Sequence, residues 1–159
     1  MSTSTERAAW IQRIRQLPAL TREAMRGLDP VQLDTPYGPG KWTLRQVLHH
    51  LADAHMNAFI RTKLILTEDH PTLKPYDQDA WAVTADAARS DPEASLAVLR
   101  GLHARWADLL EAVPEEGWTQ SAHHPESGEV TLEGLLRYYA DHGEHHLGQI
   151  HLLRRQRGW

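Results

Sequence analysis

The stretch TLEGLLRYYADHGEHHLGQIHLLRRQ, residues 131–156, decides the fold. On a wheel at about 100° per residue, Leu132, Leu135, Tyr139, Ile150 and Leu153 fall on one stripe. Such a stripe marks an amphipathic helix packed on a core. Thr131 can cap its start, and Gly158 is a stop signal after its end. His142 and His146 lie four residues apart, so they share a face, and that face is the apolar stripe. His145 lies about 100° from the stripe centre and His151 about 140°. Two inward imidazoles need partners, because burying an unsatisfied polar group is costly. A shared metal ion is one solution. Two core histidines with separate hydrogen bonds are the other.

The rest of the chain reads the same way. Residues 5–28 have helical character, with a first long helix expected at about 10–27 and a short N-terminal piece before it. Pro18 is expected to break or kink it. Thr43 and Gln46 form a capping box ahead of a helix over about 44–67. Asp91-Pro92-Glu93 opens a third over about 92–113, and Pro114 ends it. Pro-rich residues 68–91 read as a crossover passing over one end of a bundle. Residues 115–130 read as a turn or short hairpin. The pattern predicts an all-α fold, a bundle of four long antiparallel helices forming a single domain over 1–159.

Composition narrows the function. The net charge of −4 gives no case for nucleic acid. No apolar run approaches the roughly 20 residues that span a membrane, and MSTSTER at the start carries no apolar signal region. The cytoplasm is the expected compartment. There is no cysteine, which excludes disulfides, thiolate metal ligands and a cysteine nucleophile. Any metal must be held by His, Asp or Glu, and eleven histidines is a rich supply for 159 residues.

A metal on His142 and His146 needs a ligand from another helix. With Leu51 as stripe centre on the second helix, His55 lies about 40° away, His50 about 100° and His49 about 160°. Periodicity alone favours His55, but a flanking His50 can reach a seam between helices. His103 on the third helix also lies in an apolar stripe. His50, His55 and His103 stay open at this point. Asp53 or Gln149 could orient a ligand imidazole, although Asp53 reads more readily as part of a solvated face. Arg61, Lys63 and Lys74 could hold an anionic substrate, with ordinary surface charge the favoured reading. The six tryptophans read as packing residues.

WTLRQVLHHLADAHMN at 42–57 and HGEHHLGQI at 142–150 resemble the DinB/YfiT superfamily of metal-binding four-helix bundles. LDTPY at 33–37, LTEDHPTLKPYD at 66–77, SLAVLRGLHARW at 95–106 and HPESGE at 124–129 resemble its YfiT branch in order and spacing. The resemblance implies three histidines on one divalent metal: His50 in its HLAD context, with His142 and His146. Gly143 and Gly148 flank these ligands and weaken the helix by about 1 kcal/mol each relative to Ala. Packing, or an opening for substrate, must account for them. The branch implies a metal-dependent enzyme and suggests a homodimer.

Three neutral imidazoles leave open positions, as catalytic zinc sites do. Imidazole suits several metals; Zn2+ is the first choice and Ni2+ the second. The cation lowers the pKa of a bound thiol or water. Attack by a thiolate makes an S-transferase, and attack by ionised water makes a hydrolase. The superfamily implies thiol partners such as bacillithiol, mycothiol or glutathione, so transfer of bacillithiol or a similar small thiol to electrophiles, a detoxification role, is the expected function. A non-enzymatic, stress-response protein with a closed four-ligand metal is the remaining alternative.

Overall fold

The computed structural model describes residues 2–159. Four long helices make the body: α1 (Ser4–Met25), α3 (Leu44–Thr67), α6 (Pro92–Glu111) and α7 (Leu132–Arg157). Short helices α2 (Pro30–Leu33), α4 (Gln78–Ala82) and α5 (Ala85–Arg89) lie in the connections. A 3-10 turn at Glu115–Thr119 leads into an antiparallel hairpin, β1 (Ser121–His124) and β2 (Gly128–Thr131). Among the described residues no helix is long and apolar enough to cross a membrane.

Local chemistry sets the ends. The Gln46 amide donates to Thr43 Oγ1 at 3.2 Å and the Thr43 amide to Gln46 Oε1 at 2.9 Å, completing the expected capping box. Asp91 accepts from the Glu93 amide, and Thr131 from the Gly134 amide. Gly158 closes α7 in the left-handed region, at φ 69°. The first helix starts about six residues earlier than its apolar stripe suggests. Thr3 and Glu6 form a second capping box there, and polar caps leave no trace in hydrophobic periodicity.

Two expectations are corrected. Pro18 does not break α1, which runs unbroken through it. Nor are the long helices all antiparallel to their neighbours. Arg22 meets Glu93 and Arg15 meets Asp108, so α1 and α6 are antiparallel. Arg7 meets Glu133 and Arg13 meets Asp141, so α1 and α7 are parallel. His49 meets Ser95 and the Trp106 indole donates to Thr62 Oγ1, so α3 and α6 are parallel too. Helices α1 and α3 each pack on α6 and α7 and face one another across the diagonal.

The crossover explains this topology. It does not merely pass over one end. It returns from the end of α3 to its start, where the Ser90 carbonyl accepts from Arg45 at 2.9 Å. Helix α3 has 24 residues and is therefore about 36 Å long. Only a long connection can span that length and start α6 in the same direction. On the way the crossover is pinned to the hairpin: the Leu73 amide donates to the His123 carbonyl at 2.8 Å, and the His123 amide to the Pro71 carbonyl at 2.9 Å.

The apolar interior comes in two clusters. One contains Ile14, Ala58, Trp106, Leu135 and Tyr139; the other contains Leu17, Leu48, Leu51, Leu99, Leu147 and Ile150. The inward histidines lie between them along each helix, as a polar layer across the middle of the bundle. That layer is the candidate site.

Candidate metal centre

His50 and His146 are buried and His142 is half-buried. One ring nitrogen from each converges, all within 4.8 Å of one another. His142 Nε2 lies 3.3 Å from His50 Nε2 and 3.1 Å from His146 Nε2. Two ligands at 2.0–2.1 Å on a tetrahedral ion stand about 3.3 Å apart. The spacing therefore suits a small divalent cation. Among the described residues no fourth His, Asp or Glu joins this group.

The protons can be placed by following the hydrogen bonds. Burial pushes His50 down to about 3 and His103 to about 4, with the charge of His146 adding to the effect on His50. Burial first, then neighbouring histidines, lowers His55 and His142 as well. Each of these rings is neutral near pH 7 and carries one N–H. His103 Nδ1 lies 2.6 Å from the Ile14 carbonyl, which can only accept, so that nitrogen holds the proton. His103 Nε2 is then bare and accepts from His55 Nδ1 at 3.0 Å. His55 Nε2 is bare in turn and accepts from His142 Nδ1 at 3.2 Å. His142 Nε2 is left as a lone pair aimed at the triad.

A second anchor treats His146 alike. Its Nδ1 donates to Gln149 Oε1 at 2.9 Å, while Gln149 Nε2 donates to the exposed His145. His146 Nε2 is bare too. Two lone pairs thus face each other at 3.1 Å in a buried layer. That arrangement is repulsive between neutral rings and favourable around a cation. The residues present fit a divalent metal on this ground.

The origin of the chain explains Pro18. An amide at position 18 would donate to the Ile14 carbonyl in a regular helix. Proline has none, so the Ile14 carbonyl is left free. His103 fills it. Helix α1 therefore passes through Pro18 with its backbone accounted for, and the orphaned carbonyl fixes the outer end of the histidine chain.

The sequence candidates separate clearly. His50, His142 and His146 come together. His55 and His103 lie behind His142 rather than beside it and add no ligand. His49, also buried, bonds Ser95 and the Ser90 carbonyl away from the triad. His145 and His151 are exposed, as the helix phase requires. Asp53 makes no hydrogen bond to the three converging histidines; burial and the nearby Asp86 raise its carboxyl to about 6. Gln149 does orient one of the three converging rings, that of His146. Gly143 is a packing residue: a Cβ there would stand 2.5 Å from Leu17 Cδ2. Gly148 faces open space.

His50 and His142 line a cleft of about 930 Å³. Its walls are α3 and α7, with the crossover at Leu73–Gln78 and the hairpin closing it. The Trp42 ring lies against His50, with centroids 4.6 Å apart. Sequence reasoning missed His124, a buried residue of β1 on this wall, because nothing in a four-residue strand marks which bundle surface it covers.

The family model of the DinB superfamily matches residues 6–150. The chain belongs to that superfamily. It is 45% identical over 151 residues to the Bacillus subtilis (strain 168) protein named "Putative metal-dependent hydrolase YfiT", covering 94% of this chain and 85% of that one. It is 51% identical over 152 residues to a Geobacillus kaustophilus (strain HTA426) relative with a similar name, with the same coverage. The solved structure of YfiT, described as "a probable metal-dependent hydrolase with an unusual four-helix bundle topology", superposes at a TM-score of 0.98 with 42% identity, covering 100% of this chain and 91% of that one. A second solved four-helix bundle, TT2238, matches at a TM-score of 0.61 and 21% identity over 90% of this chain and 96% of that one, a likeness of fold. For this DinB superfamily member, the parallel α3/α6 pair and its long crossover give the bundle its topology.

Proposed function

We propose that this chain is a metal-dependent enzyme in which His50, His142 and His146 hold one divalent ion, and that it transfers a small thiol to an electrophile. The observation that carries the metal reading is the pair of bare Nε2 atoms of His142 and His146 facing each other at 3.1 Å, with His50 Nε2 beside them. The names of the relatives support metal dependence. An ion bound there supplies a positive charge that favours the ionised form of a thiol near neutral pH.

The chain's own residues do the rest. Three neutral imidazoles leave the cation's charge uncancelled, and the open cleft admits a ligand beside them. Among the described residues no carboxylate joins the three converging nitrogens, and a thiol needs no base beyond solvent. In the transfer, the sulfur forms a bond to an electrophilic carbon. The leaving group departs with the bonding pair, and the thiol proton goes to solvent. The names of the relatives favour a second reading, hydrolysis, in which water takes the place of the thiol.

The test has two stages. Metal content is measured for the wild type, His146→Ala and His145→Ala: about one ion per chain is expected in the first and third, and almost none in the second. Retention by His146→Ala together with loss in His145→Ala would overturn the ligand assignment. Wild type loaded with zinc or nickel is then given bacillithiol with a halogenated aromatic or an epoxide, beside a panel of esters and amides. Metal-dependent thioether formation supports transfer. Ester or amide turnover without thiol replaces it with hydrolysis.

A further inference from the structure

Arg61 stands out among the arginines that pack on the bundle. Arg7, Arg13, Arg15, Arg22 and Arg45 each meet at least one carboxylate. Arg154 caps the end of α1 through the Ala24 and Arg26 carbonyls. Arg61 is half-buried in the wall of the cleft, and its two hydrogen bonds go to neutral groups: the Tyr139 hydroxyl at 3.0 Å and the Lys74 carbonyl at 2.9 Å. Among the described residues no carboxylate pairs with it. Those bonds hold the guanidinium in place and leave its charge and further N–H donors unmatched.

Its surroundings are those of an anion subsite. Tyr139 accepts from Arg61, so its hydroxyl proton is free to donate. His124 Nδ1 accepts from the Glu126 amide at 3.3 Å, which places the proton of the neutral ring on Nε2. Burial lowers His124, and the positive charge of Arg61 lowers it further. Of the acidic groups on the cleft wall, Glu129 is taken by His70 at 2.9 Å and Asp77 by the start of α4. Glu126 sits exposed at the hairpin turn. Lys63 and Lys74 do not share this position: neither side chain lines the cleft.

Arg61 and the triad lie along one groove. Eleven residues separate His50 from Arg61, which puts both on nearly the same face of α3, about 16 Å apart along its axis. Tyr139 bridges the interval: its hydroxyl meets Arg61, and its ring lies 5.6 Å from that of His142. Allowing for side-chain reach, the guanidinium and the triad stand on the order of 10 Å apart.

We propose that the cleft takes an elongated ligand whose oxyanion, a carboxylate or phosphate, docks on Arg61 while its reacting end lies at the histidine triad. The proposal rests on the thiol reading above for the identity of the reacting end, and on the unpaired guanidinium for the other. A planar fork of donors suits carboxylate and phosphate oxygens, often in bidentate pairs.

The probes are mercaptohexanoate, mercaptohexanol and the short mercaptoacetate, titrated into cobalt-loaded protein and followed by thiolate-to-cobalt charge-transfer absorbance. Mercaptohexanoate should bind on the order of tenfold tighter than mercaptohexanol, the effect of a charged hydrogen bond. Mercaptoacetate, too short to span the groove, should not bind through Arg61. Arg61→Met should bring mercaptohexanoate to the level of the alcohol and leave the alcohol unchanged, which also reports an intact fold. Arg61→Lys should recover part of the difference. Equal binding of the acid and alcohol to wild type, or an equal loss of both in Arg61→Met, overturns the subsite. If no thiol produces a charge-transfer band, the thiol reading fails, and the subsite is read separately by NMR: plain hexanoate should shift the Arg61 Nε–H resonance and hexanol should not. An unmoved resonance overturns it.

Discussion

Pro18 gives up an amide, and a histidine 85 positions later uses the carbonyl that is freed. Through His103 and His55 this fixes which nitrogen of His142 is bare, the kind of support that commonly changes metal affinity 10–100-fold. His103→Leu removes the acceptor for His55 Nδ1, which allows His55 and then His142 to change tautomer. Zinc affinity, measured by competition with a chelator, should fall about 10–100-fold, and nitrogen correlation spectra should show the His142 proton moved from Nδ1 to Nε2. His49→Ala, a change at a buried histidine outside the chain, should leave both unchanged. An unaltered His142 tautomer in His103→Leu would show that the chain does not set it. Helix phase alone aims His142 and His146 inward, and their rings do converge. Periodicity alone favoured His55 over His50 for the same reason, and the family resemblance reversed that order. The structure gives the stripe centre to His55, which supports His142, and the seam to His50, which converges with His142 and His146, since a site shared by two helices forms where they meet.

Helix α7 carries both flanking glycines, and the two should respond in opposite directions. Gly148 faces open space, so Gly148→Ala should raise stability by about 0.5–1 kcal/mol through helix propensity. Gly143 touches Leu17 on the parallel α1, and a methyl group there would stand 2.5 Å from Leu17 Cδ2. Gly143→Ala should lower stability by about 1 kcal/mol, overpacking outweighing the gain in propensity. Urea midpoints read both, and a rise in each would mean that the α1–α7 contact yields easily. Element boundaries were legible wherever a cap accompanied a stripe, as at Thr43, Asp91 and Thr131. They were not legible at Thr3, where a polar turn precedes the first apolar residue.

For the molecule as a whole, the histidine layer makes stability depend on pH. His50, His55, His103, His142 and His146 are all lowered from the ordinary imidazole value by burial, with further contributions from neighbours. Below about pH 6.5 the unfolded chain binds protons that the folded chain refuses. Their contribution is therefore complete above that pH and is lost as pH falls toward the folded values. Asp53, raised to about 6, acts in the opposite direction but is one group against five. Metal-free protein should unfold at clearly lower urea at pH 5 than at pH 7.5, and equal or greater stability at pH 5 would contradict the neutral layer. The sequence by itself determined the helices, their apolar faces and two of the three converging histidines, because amphipathic period and capping are local properties of the chain. Which helices run parallel depended on how far the 68–91 crossover travels, and a connection's length does not state its path. The third converging histidine, His50, was implied by the family resemblance and not by helix phase. The histidine chain behind His142 and the unpaired Arg61 were decided only by tertiary structure, because each is defined by a partner on a different helix or strand.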